Sequence, residues 1–327
     1  CSLTVTRAIF DWRLAKNDAN KLSIGKGFRA IDEANLSIIP RSKTFAIFSA
    51  ILLVASLATV VVRGFDFSID FLGGQVYTVQ YSETGAHEED LSKVAASAGL
   101  TNAKVRSYGD QAKNMYQISL KKTDDATVKD RLQKALDDAG QKAQIIASDE
   151  VGPTIGKELR FNAILSIILS WIAICLYIWF RFGKLGLGFG VGALVGLVHD
   201  TIISIGFISL MGLSVDGALI ASVLTLIGYT INDKIVVFDR IRENSQIYGR
   251  SNFPKLVNSS INQCFSRTII TSLTTLFVCL ILAVMGGSSI RDFGLVMVFG
   301  IIIGTYSSIT ISSPFVVWWS KRFRSGV

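Results

Sequence analysis

The stretch Gly228-Tyr229-Thr230-Ile231-Asn232-Asp233-Lys234-Ile235-Val236-Val237-Phe238-Asp239-Arg240-Ile241-Arg242-Glu243-Asn244 decides how this chain is read. It closes an apolar segment that begins near Leu213. Its first half places Asn232, Asp233 and Lys234 inside what hydropathy predicts to be a membrane helix. Its second half, Asp239 to Asn244, is charged and reads as wet. An ionisable side chain within a span costs about 3 kcal/mol on insertion scales, so its default reading is functional.

Working outward, half of the 327 residues are hydrophobic and only 18% are charged. A soluble domain carries nearer a quarter charged residues, so the composition points to an integral membrane protein. The net charge of +8 is no argument for nucleic acid, because the basic residues lie between apolar spans. The cysteines Cys1, Cys175, Cys264 and Cys279 and the histidines His87 and His199 have no metal-ligand spacing. No disulfide framework, metal or cofactor is expected from them. The first residue, Cys1, admits a lipid-carrying processed cysteine or a fragment of a longer chain. Thr4 to Phe10 reads like the end of an earlier helix, which favours the fragment.

Six apolar spans are expected, near Thr44 to Val62, Phe161 to Phe180, Leu185 to Leu210, Ala218 to Phe238, Thr268 to Met285 and Phe293 to Trp319. The first, at about twenty residues, is near the length needed to cross hydrocarbon. Residues 1–43, with eight Lys/Arg and four Asp/Glu, read as a cytoplasmic linker. It holds a Gly25-Lys26-Gly27 turn and one short helix around Ala30 to Leu36. Residues 63–160 change character. Strands are expected at Phe71 to Tyr81, Ala103 to Tyr108, Met115 to Leu120 and Ala143 to Ala147, the middle pair split by a Gly109-Asp110-Gln111 turn. Helices are expected at Glu88 to Ser97 and Asp125 to Ala139. The second carries Val128, Leu132 and Leu136 at steps of four and is capped by Gly140. The order β-α-β-β-α-β predicts a small ferredoxin-like α+β domain between spans one and two.

Lys and Arg crowd the segment before span one, residues 181–184, residues 239–267 and the C-terminal residues 321–327. Residues 211–217 carry none, and residues 286–292 only Arg291. By the positive-inside rule both termini are expected to be cytoplasmic and the α+β domain outside, which in a bacterium is the periplasm or the outer face. Residues 239–267 are read as a basic loop.

Gly188, Gly192 and Gly196 in span three, and Gly300, Gly304 and Ser308 in span six, recur every four residues. Small residues at this spacing give a smooth helix face for close packing. A nucleotide-binding reading of Gly188-Phe189-Gly190-Val191-Gly192 lacks a preceding strand, and no Gly-rich phosphate loop ending in Lys-Ser/Thr occurs.

Three intramembrane sites stand out: Asp233, the His199–Asp200 dipeptide, and Arg267. Spans four and five are antiparallel, which sets Asp233 and Arg267 at similar depth. A carboxylate facing a guanidinium could act as a proton-driven switch. The alternatives are a wet helix end for Asp233 and a snorkelling cation for Arg267. Neighbouring positions differ by ~100°, so His199 and Asp200 are expected to face apart. Lys234 is expected to snorkel to the cytoplasmic surface. The hydroxyls Thr268, Thr271, Ser272, Thr274 and Thr275 could line a polar path or serve as helix glue.

Four blocks resemble the SecF family of protein-export membrane proteins. They are Asp70-Phe71-Leu72-Gly73-Gly74; Val151-Gly152-Pro153-Thr154-Ile155-Gly156-Lys157-Glu158-Leu159; Asn232-Asp233 with Phe238-Asp239-Arg240-Ile241-Arg242-Glu243-Asn244; and Ser266-Arg267 through Thr275. They span about residues 40–320 in the right order. Leu72 and Cys264 stand where hydroxyl residues are usual. Lys234 stands where a small or polar residue is commoner. Thr4 to Phe10 resembles the end of SecD's last span, as in a fused SecD–SecF chain. The resemblance implies a relative of resistance-nodulation-division transporters in a bacterial cytoplasmic membrane. It implies proton passage through Asp233, Asn232 and Arg267, with Asp200 and His199 as further candidates, coupled to late protein export. It implies SecD, the SecYEG translocon, YajC, YidC and an unfolded polypeptide as partners. A small-molecule efflux permease and a non-conducting scaffold are the other readings. An enzyme has no nucleophile–base pair to rest on.

Overall fold

The computed structural model describes residues 35–81, 88–100, 103–107, 114–121, 127–139, 143–249 and 251–323. The turns expected at Gly25 and Gly109, the Gly140 cap, and the linker up to residue 34 lie outside them. Among the described residues six helices are long and apolar enough to cross a membrane, which makes this a multi-pass membrane protein.

Helix α1 (Ser42–Arg63) is the first span. A two-residue strand β1 (Asp66–Phe67) and a single helical turn α2 (Ile69–Leu72) follow. Strand β2 (Gly74–Tyr81) then opens the α+β domain. The strand expected from Phe71 therefore starts three residues later. Gly73 has φ 77° and turns the chain out of α2, a conformation open chiefly to glycine. A Cβ on Gly74 would run into the Leu120 carbonyl of the neighbouring strand.

The domain continues with α3 (Glu88–Ser97), β3 (Lys104–Ser107), β4 (Met115–Lys121), α4 (Val128–Asp138) and β5 (Ala143–Val151). The sheet order is β3-β4-β2-β5, antiparallel throughout. That is the ferredoxin-like arrangement, with the outer strands added on either side of the central pair. Leu91, Val94, Val128, Leu132 and Leu136 from the two helices bury against Val79, Ile118 and Leu120. At roughly 25 cal/mol per Å² of apolar surface, each such side chain contributes about 2 kcal/mol.

Helix α5 (Pro153–Phe182) starts on Gly152 with Pro153 in its first turn, where the missing N–H costs nothing. A 3₁₀ turn (Gly183–Leu185) leads into α6 (Gly186–Met211). Strand β6 (Ser214–Val215) pairs in parallel with β1. Next come α7 (Gly217–Tyr248), α8 (Phe253–Met285) and α9 (Ser288–Ser307). A π turn (Ser308–Ser312) joins α9 to α10 (Ser313–Phe323).

Two expectations change here. Residues 239–267 are not a loop: α7 and α8 both extend past their apolar segments, to Tyr248 and from Phe253. Charge alone does not end a helix, and Arg240 braces the wet end by pairing with Glu243 three residues on, Nη1–Oε2 2.6 Å. The last span also runs past its expected end at Trp319, continuing through the π turn to Phe323.

Helices α6, α7 and the α9–α10 pair form the centre of the bundle, whereas α1 and α5 leave nearly all their apolar surface exposed. The small-residue faces sit at the closest approaches. Gly188 lies against Trp319, Gly192 against Val316, Gly300 against Leu226, and Gly304 against Thr230. Ser308 is buried in the π turn and donates to the Thr305 carbonyl at 2.9 Å.

Candidate functional site

The polar interior is built on α7. Its first turn is capped by Asp216, whose side chain accepts from the Leu219 N–H at 2.8 Å. The helix then runs 32 residues without a proline, so consecutive side chains leave it ~100° apart. Asp233 and Lys234 consequently serve two different walls.

Asp233 is 3% exposed. Ser272 Oγ of α8 donates to its Oδ2 at 3.4 Å, and lies 2.7 Å from Thr305 Oγ1 of α9. Thr305 donates its own proton to the Ile301 carbonyl at 2.8 Å. Ser272 thus has one proton and two acceptors. No direct ion pair joins Asp233 to Arg267, which is exposed and acts on the carboxylate only through space. The expected direct pairing is absent because α8 turns Ser272, not Arg267, toward α7. Asn232 is likewise exposed.

Lys234 points the other way and is completely buried. Its Nζ lies 2.8 Å from Asp200 Oδ2 of α6 and 3.3 Å from Ser307 Oγ. It does not snorkel: its position is more than three helical turns from Tyr248, the end of α7, and a carboxylate is at hand. Asp200 Oδ1 meets His199 Nδ1 at 3.0 Å. The two neighbours therefore do share a contact, since the imidazole and carboxylate reach across the angle that separates their Cβ atoms. His199 is buried beside Tyr306, ring centroids 6.5 Å apart.

At the far end of α7, the remaining motif residues tie three helices together. Asp239 faces Arg181 of α5 at 3.9 Å. Arg240 Nε donates to Gln263 of α8 at 2.6 Å. Asn244 Nδ2 donates to Ser260 Oγ at 2.8 Å and to Gln263 Oε1 at 2.9 Å. Arg242 is half-buried and Glu243 exposed. Asn258 and Asn262 hold the chain entering α1. They accept from the N–H groups of Leu36, Ile38 and Ile39 and donate to the Leu36 carbonyl, all at 2.7–3.0 Å. In the Asp70 block, Ser68 Oγ donates to Asp70 Oδ2 at 3.2 Å. Gly156 approaches the Phe71 carbonyl so closely that a Cβ there would lie 2.7 Å from it.

Thr305, Ser307, Asn258 and Asn262 carry no signal in a single sequence, because hydroxyls in spans are ordinary helix glue and amides at helix ends are common. Among the described residues no group of three His, Cys, Asp or Glu side chains could hold a metal ion.

A six-span bundle with a ferredoxin-like domain after the first span, and carboxylates buried among its helices, defines a class of polytopic membrane transport proteins. The SecD/SecF C-terminal protein-export family profile matches residues 131–322, and the SecD/SecF GG motif matches residues 59–84. SecF of Desulfurispirillum indicum is 36% identical over 291 residues, 86% of this chain and 91% of that one. SecDF of Thermus thermophilus is 42% identical over 278 residues, 84% of this chain and 37% of that one. The crystal structure of SecDF, a translocon-associated membrane protein from the same organism, superimposes with a TM-score of 0.77 at 35% identity, covering 94% of this chain and 42% of that one. The chain belongs to the SecD/SecF protein-export membrane protein family and aligns with its SecF members. It spans nearly all of the SecF relatives and well under half of the fused SecDF chains.

Proposed function

We propose that this chain is the SecF part of a Sec translocase accessory complex, working with a SecD half in a bacterial cytoplasmic membrane to couple proton flow to late protein export. The observation that carries this reading is the Asp233 site. A buried carboxylate that is hydrogen-bonded to a hydroxyl, and on which Lys234 and Arg267 act only through space, is not locked in a direct ion pair. It is stabilised either by taking a proton or by a rearrangement that brings charge to it.

The hydroxyl relay supplies both states. With Asp233 ionised, Ser272 donates to it. With Asp233 protonated, the carboxyl O–H donates to Ser272, whose proton then turns to Thr305. One proton gained or lost thus reverses the hydrogen bond between α7 and α8 and makes or breaks the one between α8 and α9. Arg267, on the exposed side of α8, is placed to meet a rearranged Asp233 or the SecD half. Asn232 lies on the same exposed side of the site. The orientation with both termini cytoplasmic and the domain outside follows from the Lys/Arg distribution. Under this reading SecYEG, YajC and YidC are the membrane partners and an unfolded polypeptide is the cargo.

The test is secretion of a reporter from cells carrying a complete SecD–SecF complex, wild type against Asp233→Asn, at matched expression and with assembly checked by pull-down. The expected result is secretion reduced to the deletion level and no further loss when the proton gradient is collapsed. Normal, gradient-sensitive secretion from the variant would remove Asp233 from the mechanism and leave the scaffold reading.

A further inference from the structure

Asp233 is not the only carboxylate buried among the spans. Asp200 is 2% exposed, on one of the central helices, and on sequence grounds it is a further candidate to carry protons. The structure separates the two by their partners. Asp200 has a full counter-charge: Lys234 Nζ at 2.8 Å, with no exposed surface on either the amine or its stem. The amine also reaches Ser307 Oγ at 3.3 Å and the Thr230 carbonyl at 3.5 Å. The second carboxylate oxygen takes His199 Nδ1 at 3.0 Å. Both oxygens of Asp200 and the Lys234 amine are therefore engaged.

The backbone around this pair is cut to fit it. A Cβ on Gly196 of α6 would strike Ser312 Oγ and stand 2.5 Å from Lys234 Cε. A Cβ on Gly304 of α9 would strike Thr230, one turn before Lys234, and stand 3.8 Å from Asp200 Oδ2. Two of the glycines read as helix-packing residues are thus the ones that leave room for the lysine stem and the carboxylate. The π turn supplies Ser312 to the same place.

We propose that Lys234 decides which carboxylate moves protons. By holding Asp200 as a buried ion pair it takes the α6 carboxylate out of proton traffic and leaves Asp233, on the other face of α7, as the exchangeable one. A proton delivered to Asp200 would strand an unpaired ammonium in the bundle, which the surroundings cannot offset. Among the described residues the ionisable groups around Asp200 are few. They are His199 on its own helix, Lys234 from α7 and the Tyr306 phenol of α9, whose hydroxyl is engaged with Ser49 and the Phe45 carbonyl. Asp233 faces away, toward Ser272. Lys234 is in this sense a positioning residue that acts through Asp200. The inference rests on the proton-coupled reading of Asp233.

The experiment compares Asp200→Asn, Lys234→Met and the double variant in the full SecD–SecF complex. Thermal stability of the purified complex and gradient-dependent secretion are both measured. Each single variant is expected to lower the melting temperature by at least about 5 °C, because it leaves one buried charge alone. The double variant is expected to return to within about 2 °C of wild type and to secrete at the wild-type rate, still responding to collapse of the gradient. Asp200→Ser with Lys234→Thr is a second neutral pair that gives the same answer with smaller side chains. A stable double variant that has lost gradient-dependent secretion would make Asp200 a carrier and overturn the proposal. Single variants as stable as wild type would overturn it too. Failure of the Asp233 reading shows separately, as gradient-sensitive secretion from Asp233→Asn.

Discussion

Asp233 and Lys234 are sequence neighbours with opposite charges, and in the folded chain they do not pair with each other. Asp233 Oδ2 accepts from Ser272 of α8, and Lys234 Nζ holds Asp200 of α6, 34 residues away. Their order in the sequence therefore matters as much as their presence. Exchanging them, Asp233→Lys with Lys234→Asp, keeps composition and net charge but sets a carboxylate against Asp200 and an ammonium against Ser272. The expected outcome is loss of folded complex, since two buried carboxylates would then face each other without a cation. Size-exclusion of detergent-solubilised complex measures it. Wild-type recovery would mean the two faces of α7 are interchangeable.

The glycine faces make a sharper prediction. Gly196→Ala places its methyl against Ser312 and the Lys234 stem, and Gly304→Ala against Thr230. Each is expected to destabilise the bundle by about 1–3 kcal/mol through overpacking. Gly228→Ala, on an open face of α7 with nothing within 4 Å, is expected to be neutral or slightly stabilising. Melting temperatures of the three purified variants check the ranking.

Asn258 and Asn262 satisfy backbone groups that no secondary structure would otherwise pair, at the segment entering α1. Replacing both with Ala leaves three N–H groups and one carbonyl without these partners. Faster amide hydrogen exchange at residues 36–39, by about 10-fold or more, is the expected readout, with the α+β domain unchanged. Unaltered exchange would show that these bonds do not hold the segment.

Orientation is testable with exposed probe positions. Ser245 is a poor one, because it is buried and its hydroxyl donates to the Arg242 carbonyl at 2.7 Å. Tyr248, 72% exposed at the end of α7, and Lys93 on α3 serve instead. Cysteine at Lys93 is expected to react with an impermeant thiol reagent added outside intact cells, and cysteine at Tyr248 is expected not to. The reverse pattern would invert the assigned topology.

In the α+β domain, burial pushes the Tyr81 hydroxyl up to about 12, with Tyr116 and Asp90 adding to the effect. A folded value above the unfolded one means the contribution is complete below pH ~10 and is lost as pH rises through ~12. Ultraviolet difference titration is expected to show one tyrosine ionising near pH 12 that disappears in Tyr81→Phe. Ionisation of every tyrosine near pH 10 would contradict it.

Much of this architecture is written locally. Apolar runs of about twenty residues mark the spans, and the Val128-Leu132-Leu136 spacing marks one helix of the domain. The strand order follows from the element order because ferredoxin-like connections leave few alternatives. The candidate carboxylates were also visible, since charge within an apolar run needs no partner to be noticed. What the sequence did not disclose was who meets whom. Lys234 finds Asp200 only because α6 and α7 cross at Gly196, and Asp233 meets Ser272 because α8 is rotated to turn Arg267 outward. The helical continuation through residues 239–248 and 253–267 was hidden for a different reason. Hydropathy registers the end of the apolar run, whereas i,i+3 pairs and amide contacts carry the helix on in water.

The domain enters from β1 and leaves into α5 through strands that lie side by side, with Gly74 opposite Val151. Beneath them, Asp66 and Phe67 are stitched to Ser214 and Val215 at the head of α7. The domain therefore leaves the bundle on two strands bonded to each other, its base packed on α5 through Phe71 and Gly156 and bonded to the short strand that leads into the helix bearing Asp233. The same two-residue pairing that closes the root of the domain is thus also the last backbone contact before α7 begins.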